Sequence, residues 1–339
     1  MTLFRFLPFL LTLSLASAQG GLTIRFLDVG QGDAVLITSP EGQSVMYDGG
    51  RTESRMRELI RQYQIRNVQA VIASHADADH ITGLIPVVAL NRPKFFINNG
   101  LAGTTQTWDR LMNVVAQAGT TGLKVNDQVL QLGSVKLTLL APPVGMPRGY
   151  PNVNSVGLLV EYAGFRALMT GDSEALETAG WLRKYPASFL GPINVYKSIH
   201  HGASNGDNPV WLAAVRPQNV VVSVGPNSYG HPTRTALELY RKVGAVVYRT
   251  DLNGTVTVTV QPSGSFAITS EKGAASRPAT APSGLSSSPV PLTPPRARDA
   301  EPYYSNCAAV RAAGKAPLLR GQPGYRDGLD RDGDGRACE

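Results

Sequence analysis

Apolar and polar positions alternate near the start of the chain in the manner of a strand. In Leu22-Thr23-Ile24-Arg25-Phe26-Leu27 every second side chain up to Phe26 is a large hydrophobe, and a period of two puts those side chains on one face. Residues 34–38 and 44–47 continue as a meander, with a tight turn, Asp28-Val29-Gly30-Gln31-Gly32-Asp33, before them. The period then changes: across 53–63, Met56, Leu59, Ile60 and Tyr63 fall on one helical face. Residues 68–74 form an apolar, β-branched run of the kind found in strands buried on both sides, and 81–90 return to helical spacing. Further strands are expected at 95–98, 135–140, 156–162 paired with 166–170, 195–199, 220–224, 246–249, and a closing hairpin of 255–260 with 265–269. Helices are expected at 107–118, 174–185 and 233–243. Strands this apolar need helices over one face and a second sheet over the other, which makes a four-layer αββα sandwich; the pattern alone says only α/β.

A dense polar cluster interrupts this pattern. The run 68–74 leads into His75-Ala76-Asp77-Ala78-Asp79-His80, and helical spacing resumes at Ile81. Four side chains that bind metal as imidazole or carboxylate thus share one strand-to-helix loop. Asp172 ends the 166–170 strand, His200-His201 end the 195–199 strand, and Asn154 precedes the 156–162 hairpin, so one edge of a sheet sandwich gathers them all. A site for two cations needs roughly six to eight protein ligands and a shared water. His75, Asp77, Asp79, His80, Asp172 and one of His200 and His201 supply that number. Such a pair lowers the pKa of the shared water, orients a phosphoryl or acyl oxygen and offsets leaving-group charge. Hydrolysis by a hydroxide bridging the two cations follows, with no protein nucleophile. No serine elbow or Cys/His arrangement competes, and Gly30-Gln31-Gly32 is no dinucleotide fingerprint because no helix follows it.

Composition adds a compartment and a charge. The 339 residues, 42% hydrophobic, have room for a sizeable core and for two domains. The net charge of +7 favours an anionic partner such as nucleic acid, a phosphate ester or a cell envelope. Arg5, the apolar stretch 6–15 and Ala16-Ser17-Ala18 read as a signal peptide over 1–18, with the mature chain starting near Gln19. No later stretch is long and apolar enough for a transmembrane helix, and no cysteine follows the cleavage site to carry a lipid anchor. An exported protein, secreted, periplasmic or at the cell surface, is therefore expected. The hydrolase domain is expected over 19–270. Residues 271–300 are rich in Pro, Ser, Ala and Thr and read as a disordered linker. Residues 301–339 make a domain too small to stand without staples. Cys307 and Cys338 both lie in it and read as one disulfide, so cysteine is not a ligand of the His/Asp centre.

In order along the chain, these motifs resemble the metallo-β-lactamase superfamily, and more closely the soluble hydrolase domain of the bacterial DNA-uptake protein ComEC and its stand-alone relatives. Phe26-Leu27-Asp28-Val29-Gly30-Gln31-Gly32-Asp33-Ala34 is similar to that subgroup's opening motif, followed by Tyr47-Asp48-Gly49-Gly50 and the His-x-Asp-x-Asp-His-x-x-Gly loop at 74–83. Residues 152–155, Leu168-Met169-Thr170-Gly171-Asp172, Ser198-Ile199-His200-His201-Gly202-Ala203-Ser204, Gly230-His231-Pro232 and 248–254 complete the series. The resemblance covers about 22–260 and implies the four-layer αββα metallo-β-lactamase sandwich with two divalent cations. It implies that His75 and Asp77 hold the first, Asp79 and His80 the second, that Asp172 bridges, and that one of His200 and His201 completes the second site. Successive residues of a strand point opposite ways, so only one of the two is expected to ligate, His200 for preference. Asp79 is alternatively the general base. His231 is a candidate to protonate the leaving alkoxide or contact a phosphate, or else only caps a helix. Asp28, Asp33 and Asp48 are expected as supports, and Ser204 and Asn205 as phosphate contacts or plain loop.

Two positions depart from the superfamily: Asp77 and Asn154 stand where His is usual. Oxygen in place of nitrogen shifts preference from zinc towards manganese or magnesium, and zinc or manganese is expected. Asn154 is then a weak ligand, or holds only water or substrate. The reading that results is a phosphodiesterase or nuclease acting on DNA. Its alternatives are a β-lactam or lactone hydrolase, and a non-catalytic module binding DNA or envelope. In the tail, Asp330, Asp332 and Asp334 alternate before Gly335, as a calcium loop requires. With Tyr303, Tyr304, Cys307, Tyr325 and Cys338, this resembles the excalibur calcium-binding domain over 302–339. The resemblance gives Glu339 the terminal acidic role; the cell envelope is a candidate partner of the tail.

Overall fold

The computed structural model describes residues 20–272, 304, 307–326, 329–330 and 335–339. These form two compact units divided between Ala281 and Pro282. The signal segment 1–18 and, apart from 271–272, the linker 271–300 lie outside the described residues.

In the larger unit the first strands are β1 (Leu22–Phe26), β2 (Val35–Thr38), β3 (Ser44–Tyr47), β4 (Val68–Ile72), β5 (Phe95–Asn98) and β6 (Thr121–Lys124). A second set follows: β7 (Val129–Leu132), β8 (Val135–Leu140), β9 (Gly157–Tyr162), β10 (Phe165–Met169), β11 (Ile193–Lys197), β12 (Pro217–Val222) and β13 (Val246–Arg249). The hairpin β14 (Val256–Val260) and β15 (Phe266–Ser270) returns to the first sheet, whose order is β15-β14-β1-β2-β3-β4-β5-β6; the second runs β13-β12-β11-β10-β9-β8-β7.

Three separate cores make these sheets the middle of four layers. Ile24, Phe26, Tyr47 and Ile72 of one sheet pack against Leu137, Leu158, Val160 and Val195 of the other. Leu36, Met46 and Val71 point the opposite way, onto Met56, Leu59, Leu84, Val88 and Leu111 of the helices Glu53–Gln62, Leu84–Asn91 and Gln106–Gln117. On the far side Leu159, Leu168 and Tyr196 meet Trp181, Trp211 and Tyr240 of the helices Ala175–Lys184, Pro209–Val215 and Arg234–Lys242. This explains why β2 and β4 are apolar at consecutive positions: both faces are buried.

Some elements differ from the sequence expectation. The expected helix 81–90 is two helices, Ala78–Ile81 and Leu84–Asn91, because Gly83 sits against the chain after β3. A Cβ there would lie 1.8 Å from the Gly49 carbonyl oxygen. Strands β6 and β7 and the helices Ala187–Leu190 and Pro209–Val215 were not expected. The two strands are largely exposed, as edge strands are, and so lack the apolar alternation that reveals inner ones. The helix Pro209–Val215 did carry a local signal: Asn208 caps it and proline opens it.

The smaller unit holds a helix, Cys307–Ala312, and a two-stranded ladder, Leu318–Leu319 with Arg336–Ala337. Tyr304, Val310, Leu318, Leu329, Ala337 and Cys338 form its core, and Cys307 and Cys338 are disulfide-bonded.

Candidate metal centre

β3, β4 and β5 are parallel in one sheet, and β10, β11 and β12 in the other. Their carboxyl ends are where loops of an open α/β sheet collect ligands. Here the His75–His80 loop leaves β4, Asp172 follows β10 and His200-His201 follow β11. Gly32 lets the turn after β1 close on this edge. Its φ is +131°, and a Cβ would lie 2.2 Å from the Asp79 carbonyl oxygen.

Three imidazoles present the same face inward. His80 Nδ1 is 2.9 Å from Asp48 Oδ2. The Ser74 hydroxyl donates to the same oxygen at 2.7 Å and takes a hydrogen bond from His75 Nδ1 at 2.9 Å. His201 Nδ1 lies 2.9 Å from the Ser223 carbonyl oxygen. Each Nδ1 is thereby a donor, which leaves each Nε2 a lone pair. All three Nε2 atoms, with Asp172 Oδ1, are buried without a hydrogen-bond partner among the described residues. Ligand atoms of His75, His80 and Asp172 lie within 4.8 Å of one another, as do those of Asp79, His80 and His201. Asp172 Oδ2 is 3.2 Å from His80 Nε2 and 3.3 Å from His201 Nε2, so it faces a ring from each of the two loops. Asp77 Oδ2 stands 3.5 Å from His75 Nε2.

The electrostatics agree with a site for cations. Burial opposes a charged His80, but the carboxylates of Asp172, Asp48 and Asp79 outweigh it and hold the ring well above its ordinary pKa. His201 is shifted up in the same way by Asp172 and Asp33. Burial also opposes ionised Asp79, yet His80 and His201 bring its pKa well below the usual range. An environment that calls for protons on two buried imidazoles is one in which a divalent cation is welcome. The orphaned nitrogens and oxygens, mixed N and O donors, fit divalent metal.

His200 and His201 do not end a strand. Both adopt left-handed backbone, φ 50° and 53°, so the alternation expected of a strand does not apply, and both rings approach Asp172. His201 Nε2 joins the Asp79–His80 group. His200 Nε2 is 3.6 Å from Asp172 Oδ2 and is the more exposed ring, lining the cleft above. The kinked loop is held from behind: Asp207 accepts the Ile199 amide at 3.0 Å and the hydroxyls of Tyr196 and Tyr240 at 2.7 and 2.6 Å.

The other expected residues fall in several places. Asn154 is tied into the loop before it, its side-chain nitrogen donating to the carbonyls of Pro147 and Tyr150 at 3.0 and 2.8 Å. His231 lines a cleft of about 250 Å3 with Arg51, Asp77, Asp79, Asp172 and His201. Burial and the neighbouring His200 and His201 push it down to about 4. Thr233, not His231, caps the following helix. Asp28 accepts the Gly30 amide at 3.3 Å. Ser204 and Asn205 are exposed.

Lys197 was not singled out from the sequence. It is fully buried and ion-paired with Asp33, donates to the Gly171 carbonyl at 3.1 Å and lies 3.8 Å from Asp172 Oδ1. Asp33 also lies 3.3 Å from His201 Nδ1. A lysine within the strand expected at 195–199, three positions before His200, was the available signal. In the smaller unit Asp332 and Asp334 lie outside the described residues. Asp330 Oδ2 accepts the Gly335 amide at 2.8 Å, and Glu339 pairs with Arg336 at 3.2 Å. No helix among the described residues is long and apolar enough to cross a membrane.

Residues 27–225 match the model of the metallo-beta-lactamase superfamily, and residues 304–339 that of the Excalibur calcium-binding domain. ComE operon protein 3 of Bacillus subtilis (strain 168) is 26% identical over 255 residues, which cover 69% of this chain and 32% of that protein. Recombination protein 2 of Haemophilus influenzae is 28% identical over 240 residues, covering 68% and 28%. The chain thus spans about a third or less of the length of these curated relatives. The metallo-beta-lactamase fold protein YhfI from Bacillus subtilis superposes with a TM-score of 0.47 at 14% identity, covering 70% of this chain and 99% of that one.

Proposed function

From the premise that the chain belongs to the metallo-beta-lactamase superfamily, we propose that it is an exported, metal-dependent phosphodiesterase acting on DNA. The observation that carries this reading is the mixed donor set: three imidazole Nε2 atoms share the site with the carboxylates of Asp77, Asp79 and Asp172. Such a set suits hard or borderline cations and the phosphoryl group they bind. His75, Asp77, Asp79, His80, Asp172 and His201 would hold two divalent cations, zinc or manganese. When bound, such ions polarise a phosphoryl oxygen and make water a nucleophile at neutral pH.

The chain's own groups have separable roles. Asp79, kept ionised by His80 and His201 against the cost of burial, is a better cation ligand than a proton acceptor. His231 is a neutral ring at pH 7; an anionic phosphate arriving in the cleft favours its protonation and equips it to give that proton to the leaving oxygen. Arg51, at the same cleft, supplies a fixed positive charge for a phosphate. Similarity to ComE operon protein 3 and Recombination protein 2, together with the net charge of +7, supports DNA as the polymer. The Excalibur match and the N-terminal sequence support export, with the tail as a calcium-loaded module at the cell surface.

The test is cleavage of labelled single- and double-stranded DNA by the mature chain, with manganese, magnesium and zinc in turn, beside a chromogenic β-lactam. Cleavage of DNA that His80→Ala abolishes is the expected result. Turnover of the β-lactam alone, or retention of DNA without cleavage under every metal, would sink the proposal.

A further inference from the structure

Beyond the turn Asn152–Asn154 lies a second cavity of about 510 Å3, larger than the roughly 250 Å3 cleft over the cations. Sheet order makes the two neighbours. β5 and β6 follow β4 in the first sheet, and β9 and β8 follow β10 in the second, so the second cavity is displaced by one or two strand spacings, about 5–10 Å. The turn is their shared wall: Asn152 lines the cation cleft and Asn154 the second cavity. That wall is pinned, because the Asn154 carbonyl accepts Asn99 Nδ2 at 2.7 Å while its side chain holds the Pro147 and Tyr150 carbonyls.

The lining has a different chemistry from the cation cleft. Leu101, Pro142, Pro143 and Met146 supply an apolar wall, Lys124 and Arg148 stand exposed at the rim, and no carboxylate contributes. Asp127, close by in sequence, is already bound to Lys184 and Tyr185. An apolar slot with two cations that meet no carboxylate among the described residues, one turn away from the proposed phosphodiester site, matches a nucleotide unit: a base against the wall and a phosphate on the cations.

We propose that this cavity is the subsite for the nucleotide flanking the scissile phosphate, so that the polymer runs along the carboxyl edge from β4 towards β6. The inference rests on the phosphodiesterase reading above. A base lodged in the slot is out of its stack, so the strand entering is single or frayed rather than fully paired.

The experiment compares the full mature chain with K124E/R148E, a double charge reversal at exposed positions, on three substrates: an oligothymidylate, a blunt duplex and bis(p-nitrophenyl) phosphate, which is too small to reach the second cavity. Circular dichroism confirms the fold of the variant. The expected result is a KM for the oligonucleotide raised about tenfold or more, with kcat held within twofold and the small diester unaffected. Oligonucleotide binding followed by fluorescence anisotropy should lose about 0.7 from its log–log salt slope, the value for one phosphate contact on a single strand. Unchanged KM and unchanged binding overturn the subsite, as does a parallel loss on the small diester. Equal kcat/KM for duplex and oligonucleotide overturns the unstacked base. If the wild-type chain hydrolyses neither diester under any metal, yet K124E/R148E still weakens oligonucleotide binding, the phosphodiesterase reading falls and the nucleotide site stands.

Discussion

The loop carrying His75 and His80 leaves β4 and turns straight into a helix, whereas the loop carrying His200 and His201 leaves β11 through two consecutive left-handed residues. Both deliver imidazoles to Asp172, and they are supported by different means. In the first loop Asp48 orients two rings, His80 directly and His75 through Ser74. In the second, the buried Lys197–Asp33 ion pair lies beneath His201, and Asp207 with Tyr196 and Tyr240 anchors the backbone. Left-handed non-glycine residues cost about 1–3 kcal/mol each and persist only when their surroundings over-determine them. A regular backbone needs only its rings aimed; a strained one needs an anchor as well.

The most severe way to erase the contrast is to remove the partner common to both loops. Asp172→Asn should lower diester hydrolysis by more than the roughly 100-fold that losing a group behind a ligand costs and reduce bound metal measured by atomic emission; near-wild-type metal content and rate would show that neither loop depends on it. Chelation should abolish activity and also lower the melting temperature, since a ligand bound only by the folded state stabilises it. Lys197→Met comes next. It strands the Asp33 charge in the interior, and breaking a buried pair costs about 3–5 kcal/mol; calorimetry should show a much smaller loss in the double variant with Asp33→Asn. Full stability in Lys197→Met alone would mean the second loop is not held by that pair.

Asp48→Asn tests the first loop by the same comparison. It should weaken cation affinity by about 10–100-fold, read by titration calorimetry with manganese, while costing less stability than Lys197→Met because Asp172 still faces His80. Tyr240→Phe removes one hydroxyl from Asp207 and should cost about 1–3 kcal/mol, with cation affinity falling through His201 more than through His75.

The smallest effect is a control outside both loops. Glu177 is buried under the start of β9, accepting the Ser155 amide, and burial raises its pKa well above the ordinary carboxyl value. The folded chain therefore keeps a proton that the unfolded chain releases above about pH 4.3. The stability tied to that proton is complete below this pH and declines as pH rises towards the folded pKa. Glu177→Gln lacks the decline, so its melting temperature relative to wild type should climb from pH 5 to pH 8; a pH-independent difference would contradict this.

The contrast between the loops also explains what could be read beforehand. His75, Asp77, Asp79 and His80 are consecutive or nearly so, and a strand-to-helix loop brings them together whatever the rest of the fold does. His200 and His201 were legible as a motif, but their orientation was not: strand alternation predicts opposite directions, and the left-handed kink cancels it. Asp33 and Lys197 are 164 positions apart in sequence and meet only because β1 and β11 end at the same edge of facing sheets. Exposed edge strands such as β6 and β7 carry no alternation for a pattern to detect.

By itself the sequence determined the local things: which runs form inner strands and amphipathic helices, where the metal-binding residue types concentrate, and which cysteines pair. Those follow from periodicity and from short-range chemistry. Only the tertiary structure decided which atoms of those residues face one another. It set the tautomers of His75, His80 and His201 through Ser74, Asp48 and Ser223, made Asp172 common to both loops, and put a cavity with Lys124 and Arg148 at its rim beside the cation site. These are long-range properties of two sheets closing face to face, and no window of sequence contains both sides of such a contact.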